Sequence, residues 1–341
     1  MASQKPDALL SVHDLSVEFP GRRGTLTALD HISFDVARGE VLGIVGESGA
    51  GKSLTGRAII GLLDPPGRMS SGEIRLDGER IDTLTREEMK DIRGSRIAMI
   101  FQDPLTSLNP LFPIGEQIIE TIQTHGDLDE TAARQKAVNL LQEVGLPAAE
   151  QRMSAYPHQL SGGMRQRVVI ALALCADPEL VIADEPTTAL DVSIQAQVIA
   201  LLKRATAERG TSVMLITHDM GVIAAMADRI AVMYAGRIVE IGPVRNVLHT
   251  PRHPYTRGLM GTIPKLDHDT KTLVQIDGSM PRLAAMPQGC RFHPRCPHAF
   301  ERCRAEAPPL ELENAEGVAC WLWTPDETAR RATAFAEDAS D

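Results

Sequence analysis

Residues 40–53 read Glu40-Val41-Leu42-Gly43-Ile44-Val45-Gly46-Glu47-Ser48-Gly49-Ala50-Gly51-Lys52-Ser53. A short apolar run ends in a glycine-rich turn that matches G-x-x-x-x-G-K-[ST] without exception, and helix formers follow from about Lys52. Glycines let backbone N–H groups converge on phosphate oxygens, and the helix that follows adds the positive end of its dipole. In that geometry Lys52 reaches the β- and γ-phosphates and the Ser53 hydroxyl meets Mg²⁺. The stretch therefore predicts a strand–turn–helix nucleotide site that takes in Gly46, Glu47, Ser48, Gly49, Ala50, Gly51, Lys52, Ser53 and Leu54.

Alternating residues over Leu10 to Glu40, broken at Pro20-Gly21 and Arg38-Gly39, predict antiparallel strands before it. After it come a hairpin-like Gly72–Gly78, a charged helix near Arg86–Arg93 and an apolar strand at Ile97–Phe101. Residues 103–160 are rich in helix formers, with Pro104, Pro110 and Pro113 at the entry, and read as a helical insertion. Helix and strand patterns then alternate: Gly163–Cys175, Leu180–Ala183, Ser193–Glu208, Val213–Ile216 and Ile230–Met233. This order predicts an α/β P-loop fold, with a mainly parallel sheet beside an antiparallel β subdomain. From about Pro251 the periodicity fades. The expected division is therefore a nucleotide-binding unit at 1–250, with the helical subdomain at about 103–160, and a loop-rich extension at 251–341.

Composition narrows the class. The chain has 341 residues, 43% hydrophobic and 23% charged, as ordinary globular proteins do. Its net charge is −10 and aromatics make up only 4%, which argues against a nucleic-acid partner. No apolar run is long enough to span a bilayer, and the N-terminus has no basic stretch before an apolar core.

Hydrolysis needs a carboxylate for the metal and a group to hold water. Leu180-Val181-Ile182-Ala183-Asp184-Glu185 offers both. Side chains diverge at a strand end, so Asp184 is expected in the Mg²⁺ shell and Glu185 at the attacking water. A second anion site stands at Leu160-Ser161-Gly162-Gly163-Met164, just before an apolar helix.

With that motif the chain resembles the ATP-binding subunits of ABC transporters, whose signature loop is LSGGQ-like; Met164 stands where Gln is commonest. The resemblance covers almost the whole chain. It places Phe101-Gln102 as the Q-loop, Ala189-Leu190-Asp191 as the D-loop, Thr217-His218-Asp219 as the switch histidine and Phe19 as the adenine-stacking ring. The stretches FQDPLTSLNPLFPIGEQI (101–118), YPHQLSGGMRQR (156–167), DEPTTALDVSIQAQ (184–197) and HPYTRGL (253–259) further resemble the oligopeptide/dipeptide importers and their nickel, glutathione and opine relatives. What the resemblance implies is an ATPase in which two subunits sandwich two nucleotides. Ser161, Gly162 and Gly163 would then bind the γ-phosphate held by a partner's phosphate loop. Lys52, Glu185, His218 and Gln102 would be catalytic, with Ser53, Gln102 and Asp184 around Mg²⁺. It also implies a second ATPase subunit, usually non-identical, two transmembrane permease subunits and an extracytoplasmic solute-binding protein, with this chain at the cytoplasmic face of a bacterial inner membrane. The alternative is a soluble ABC-type ATPase working on nucleic acid or ribosomes. Such proteins usually carry two cassettes, a long coiled coil or a basic surface, and none of these is in the sequence.

Four of the five cysteines fall in Cys290-x₅-Cys296-x₆-Cys303-x₁₆-Cys320. This spacing lacks paired C-x₂-C knuckles, but four soft thiolates among arginines suit Zn²⁺ or an iron–sulfur cluster. The family resemblance implies a [4Fe–4S] cluster, with zinc as the second choice and a structural role. Cys175, inside an apolar helix, reads as a core residue.

Overall fold

The computed structural model describes residues 8–22, 24–187, 192–262 and 276–335. In chain order its strands are β1 (Ala8–Gly21), β2 (Gly24–Ala37), β3 (Val41–Val45), β4 (Arg68–Leu76), β5 (Glu79–Arg80), β6 (Ile97–Ile100), β7 (Leu180–Asp184), β8 (Ser212–Ile216), β9 (Arg229–Tyr234), β10 (Arg237–Pro243), β11 (Leu312–Glu313) and β12 (Glu316–Val318). They form two sheets. One is antiparallel, in the order β2-β1-β4-β5; the other runs β11-β12-β10-β9-β3-β8-β7-β6. From β9 to β6 the second sheet is parallel, and β10, β12 and β11 extend it antiparallel.

The unbroken apolar runs of the central strands follow from burial on both faces. All five residues of β3, β7 and β8 are buried. Alternation along each strand divides them between two cores. Leu42, Ile44, Ile182, Met214 and Ile216 face the antiparallel sheet, packing with Leu10, Ile32 and Phe34. Val41, Val45, Val181, Ala183, Val213 and Leu215 face the other way, toward Val168 and Ala171 of the helix Gly162–Leu174 and Val198 and Leu202 of the helix Val192–Arg209.

The insertion is helical, as the sequence predicts. Its main helices are Ile114–Thr124 and Glu130–Glu143. Asp129 caps the second by accepting the Ala132 N–H at 2.8 Å. Their apolar faces, including Ile118, Ile122, Ala137 and Leu141, join the same core as Val168. Cys175 is fully buried there, and burial pushes its thiol up to about 12. Among the described residues no helix is long and apolar enough to cross a membrane.

The extension docks on the end of the main sheet. β12 pairs with β10 through Glu240–Val318 and Ile241–Gly317. Phe292 packs against both Tyr234 at the end of β9 and Tyr255 of the helix Pro254–Gly261, with ring centroids 5.1 and 5.4 Å away, and the two tyrosine rings are themselves 4.7 Å apart. All three rings are buried. Phe292→Ala would leave a cavity worth about 3–5 kcal/mol. Denaturant unfolding should show that loss, and limited proteolysis should cut the extension before the core. An unchanged midpoint would mean that the aromatic cluster does not hold it.

Candidate functional site

Parallel strands align their carboxyl ends, and here four neighbours, β3, β8, β7 and β6, deliver four candidate segments to one edge. β3 runs into Gly46, β6 into Gln102, β7 ends on Asp184 and Glu185 follows, and β8 runs through Thr217 to His218.

The phosphate loop has the backbone that its glycines permit. Gly46, Gly49 and Gly51 have φ of +151°, +83° and +105°, a range that favours glycine. A Cβ on Gly46 would lie 2.2 Å from the Met233 carbonyl oxygen, and one on Gly51 would lie 2.6 Å from a Leu29 methyl carbon. Gly51 then opens the helix Lys52–Ile59. Lys52 is 6% exposed, and its ammonium donates to the Gly46 and Glu47 carbonyls at 2.8 and 3.1 Å. Two of its three N–H bonds are thus used, and the third is available to an anion. Burial lowers its pKa, while Glu185, Asp184 and Glu47 act in the opposite direction.

The two adjacent carboxylates diverge, as the sequence predicts. Asp184 accepts the Ser53 hydroxyl at 2.8 Å and is 4% exposed, and burial raises its pKa. Ser53 and Asp184 would together hold a divalent cation, whose charge would favour the ionised carboxylate. Glu185 turns away through a left-handed backbone, φ +47°, a conformation that costs a non-glycine residue about 1 kcal/mol or more. Its Oε2 accepts Gln102 Nε2 at 2.9 Å, and its Oε1 lies 3.0 Å from His218 Nδ1. An ionised carboxylate only accepts, so with Glu185 charged this contact is a hydrogen bond when Nδ1 carries a proton.

The remaining predicted residues lie elsewhere. Ser161 caps the helix Gly162–Leu174, its hydroxyl accepting the Met164 N–H at 3.4 Å. Gly162 has no described atom within 4 Å of where a Cβ would stand, whereas Gly163 lies against Ile194. The ring of Phe19, near the end of β1, packs against Gly67, where a Cβ would come within 2.7 Å of it. Ala189, Leu190 and Asp191 lie outside the described residues.

Residues 29–188 match the ABC transporter family, and residues 239–303 match the oligopeptide/dipeptide transporter C-terminal region. The chain is 48% identical over 311 residues to the oligopeptide transport ATP-binding protein OppD of Escherichia coli, covering 91% of this chain and 92% of that one. The chain belongs to the ATP-binding subunits of the oligopeptide/dipeptide ABC transporter family. It is an ABC ATPase. The dipeptide transport ATP-binding protein DppD of Bacillus subtilis is 45% identical over 337 residues, which are 98% of this chain and 100% of that one. Among solved structures, the dimeric ATP-binding cassette MJ0796 in a post-hydrolysis state with ADP and Pi superposes with a TM-score of 0.63 at 29% identity, over 69% of this chain and 99% of that one.

The family's C-terminal region contributes contacts that the motifs do not announce. Tyr255, in the HPYTRGL stretch, accepts the Glu47 N–H at 2.9 Å on its hydroxyl. Arg295 grips the Glu47 carboxylate from both η-nitrogens, at 3.0 and 3.1 Å. HPYTRGL serves only as a family marker in the sequence, and Arg295 reads there as charge compensation for the cysteines.

Cys290, Cys296, Cys303 and Cys320 all line one small pocket, beside Trp321 and Leu322. All four are free thiols; burial pushes Cys290 up to about 11 and Cys296 and Cys320 up to about 12. Four sulfur donors around one largely apolar pocket are the donor chemistry that a soft metal centre takes. Among the described residues, though, no three His, Cys, Asp or Glu side chains stand close enough to hold an ion.

The Gly46 geometry gives a direct test. Gly46→Ala forces the loop off the Met233 carbonyl, and nucleotide affinity should fall about 10-fold or more, the equivalent of about 1.4 kcal/mol. Titration with a fluorescent ATP analogue measures it. Unchanged affinity would mean that this backbone does not form the cradle.

Proposed function

We propose that this chain is the ATP-hydrolysing subunit of a bacterial importer for oligopeptides, dipeptides or related small solutes, working at the cytoplasmic face of the inner membrane. Its partners in this reading are a second ATPase subunit, two transmembrane permease subunits and an extracytoplasmic solute-binding protein. The printed activities of its OppD and DppD relatives support the substrate class. The observation that carries the catalytic reading is the Glu185 carboxylate, held between Gln102 and His218 beside the Ser53–Asp184 pair.

In this reading residues 1–250 are the nucleotide-binding unit, with about 103–160 as its helical subdomain, and 251–341 are the extension. Gly46–Leu54 form the cradle for the phosphates, with the Glu47 and Ala50 N–H groups spent on shaping the loop and the other N–H groups meeting the phosphates, and Phe19 lies against the adenine. Ser53, Asp184 and Gln102 hold Mg²⁺. A loose phosphoryl transition state spreads charge over its oxygens, so positioning and electrostatics do most of the work. Lys52 offsets that charge, to which a bound Mg²⁺ would add its own positive charge, while Glu185 orients and polarises the water and His218 touches the γ-phosphate.

Ser161, Gly162 and Gly163 complete the cradle for the nucleotide of a facing subunit. The open space over Gly162 supports this, because a helix N-terminus presenting bare N–H groups outward suits an anion brought by another molecule. Chemistry then waits on closure, and closure works on the permeases.

Two variants test the reading. Glu185→Gln should bind ATP, turn it over at least about 100-fold more slowly, and accumulate ATP-dependent dimers on size-exclusion chromatography. Normal turnover would remove Glu185 from the mechanism. Gly162→Ala meets nothing among the described residues, so the monomer should fold and bind ATP unchanged while turnover falls steeply. Unchanged turnover would separate that turn from catalysis.

For the cysteines, we propose that Cys290, Cys296, Cys303 and Cys320 ligate a [4Fe–4S] cluster that orders the extension. Anaerobically purified protein should be brown, with broad visible absorption and about four irons per chain. A colourless protein carrying zinc would overturn that assignment.

A further inference from the structure

Every polar group of Glu47 is engaged by something that must hold still for the phosphate loop to keep its shape. Its carbonyl accepts Lys52 Nζ at 3.1 Å, its N–H donates to the Tyr255 hydroxyl at 2.9 Å, and its carboxylate accepts both η-nitrogens of Arg295. Tyr255 is fully buried and the Arg295 side chain is 7% exposed, whereas Glu47 is 27% exposed. Arg295 is itself fixed. It donates to the Asp277 carbonyl from Nε at 2.8 Å and to the Ile276 carbonyl from Nη2 at 3.1 Å, and it lies beside Tyr234.

A second strut reaches the same loop. Arg291 donates to the Ala235 carbonyl and to the Asp30 carboxylate, which also accepts Arg237 Nε at 2.8 Å. The next residue in that turn, Gly236, donates its N–H to the Ala50 carbonyl at 2.8 Å. Arg291 precedes the 3₁₀ turn His293–Arg295 and Arg295 ends it, so one short segment of the extension braces the loop at both Glu47 and Ala50.

We propose that Arg295 and Tyr255 are positioning residues for ATP binding, holding Glu47 so that Lys52 and the loop N–H groups face the phosphates and so that the Glu47 charge is neutralised beside them. This inference rests on the nucleotide reading of the loop. Its physical content is electrostatic as well as steric. Without Arg295 an uncompensated carboxylate stands next to the triphosphate and repels it; the bidentate ion pair removes that repulsion. The extension thereby tunes nucleotide affinity from outside the cassette.

The test is a double-mutant cycle on the full-length chain, read as Mg–ATP Kd by calorimetric titration and as KM and kcat. Arg295→Ala should raise Kd and KM about 10-fold with kcat within about twofold, as expected for a charge-assisted pair. Adding Glu47→Gln to that variant should recover affinity to within about threefold of the parent, because the repelling charge is gone. Tyr255→Phe should raise Kd about threefold. Should Arg295→Ala fail to fold, Arg295→Lys, which keeps the charge but loses the fork, should fold and raise Kd about threefold. Unchanged Kd in whichever Arg295 variant folds, or a double variant no better than Arg295→Ala alone, would overturn the inference and leave Arg295 as a structural brace. A parent chain that bound no ATP would instead contradict the nucleotide reading itself.

Discussion

The site exists because four parallel strands end on one edge. β3, β8, β7 and β6 are hydrogen-bonded neighbours running in one direction, so residues 33, 83 and 131 positions apart in sequence meet. Burial on both faces makes this arrangement rigid. β3, β7 and β8 have no exposed residue, and a register slip would turn their alternating side chains into the wrong core. The Ser53–Asp184 and Gln102–Glu185–His218 bonds are consequences of that alignment.

Rigidity accounts for half of a nucleotide clamp. The phosphate loop is braced from beneath by Met233 and from the side by the extension, yet the proposed second anion turn, at Ser161, belongs to a different helix, and no atom of the described residues stands over Gly162. An enzyme with one fixed cradle and one outward-facing cradle has a natural reason to pair. In the proposed cycle the binding energy of the nucleotide is used to close two chains, and the water-orienting carboxylate becomes effective only then.

Much of this was legible in the sequence, for reasons that differ by element. The central strands announce themselves by unbroken apolar runs, and the phosphate loop by its glycine pattern, three members of which take positive φ. The divergence of Asp184 and Glu185 followed from strand geometry, although the left-handed turn that achieves it did not, since nothing about a glutamate signals φ +47°. β11 and β12 were not legible: two or three residues are too few for a period, and only pairing with β10 defines them. The bonds from Tyr255 and Arg295 to Glu47 were equally silent, because they join residues 208 and 248 positions apart with no spacing rule between them. The cysteine pattern pointed to soft-metal chemistry, and the structure gathers all four around one pocket without bringing three ligands to metal-holding distance.

Whether one chain can finish the reaction by itself separates a two-subunit clamp from a self-sufficient site. Turnover per chain, at saturating Mg–ATP and with the cognate second ATPase subunit in equal amount, should be followed across a dilution series. If two subunits must lend each other a glycine turn, specific turnover falls toward zero as the subunits separate and recovers on reconcentration. Turnover per chain that stays constant down to the most dilute sample would contradict the clamp.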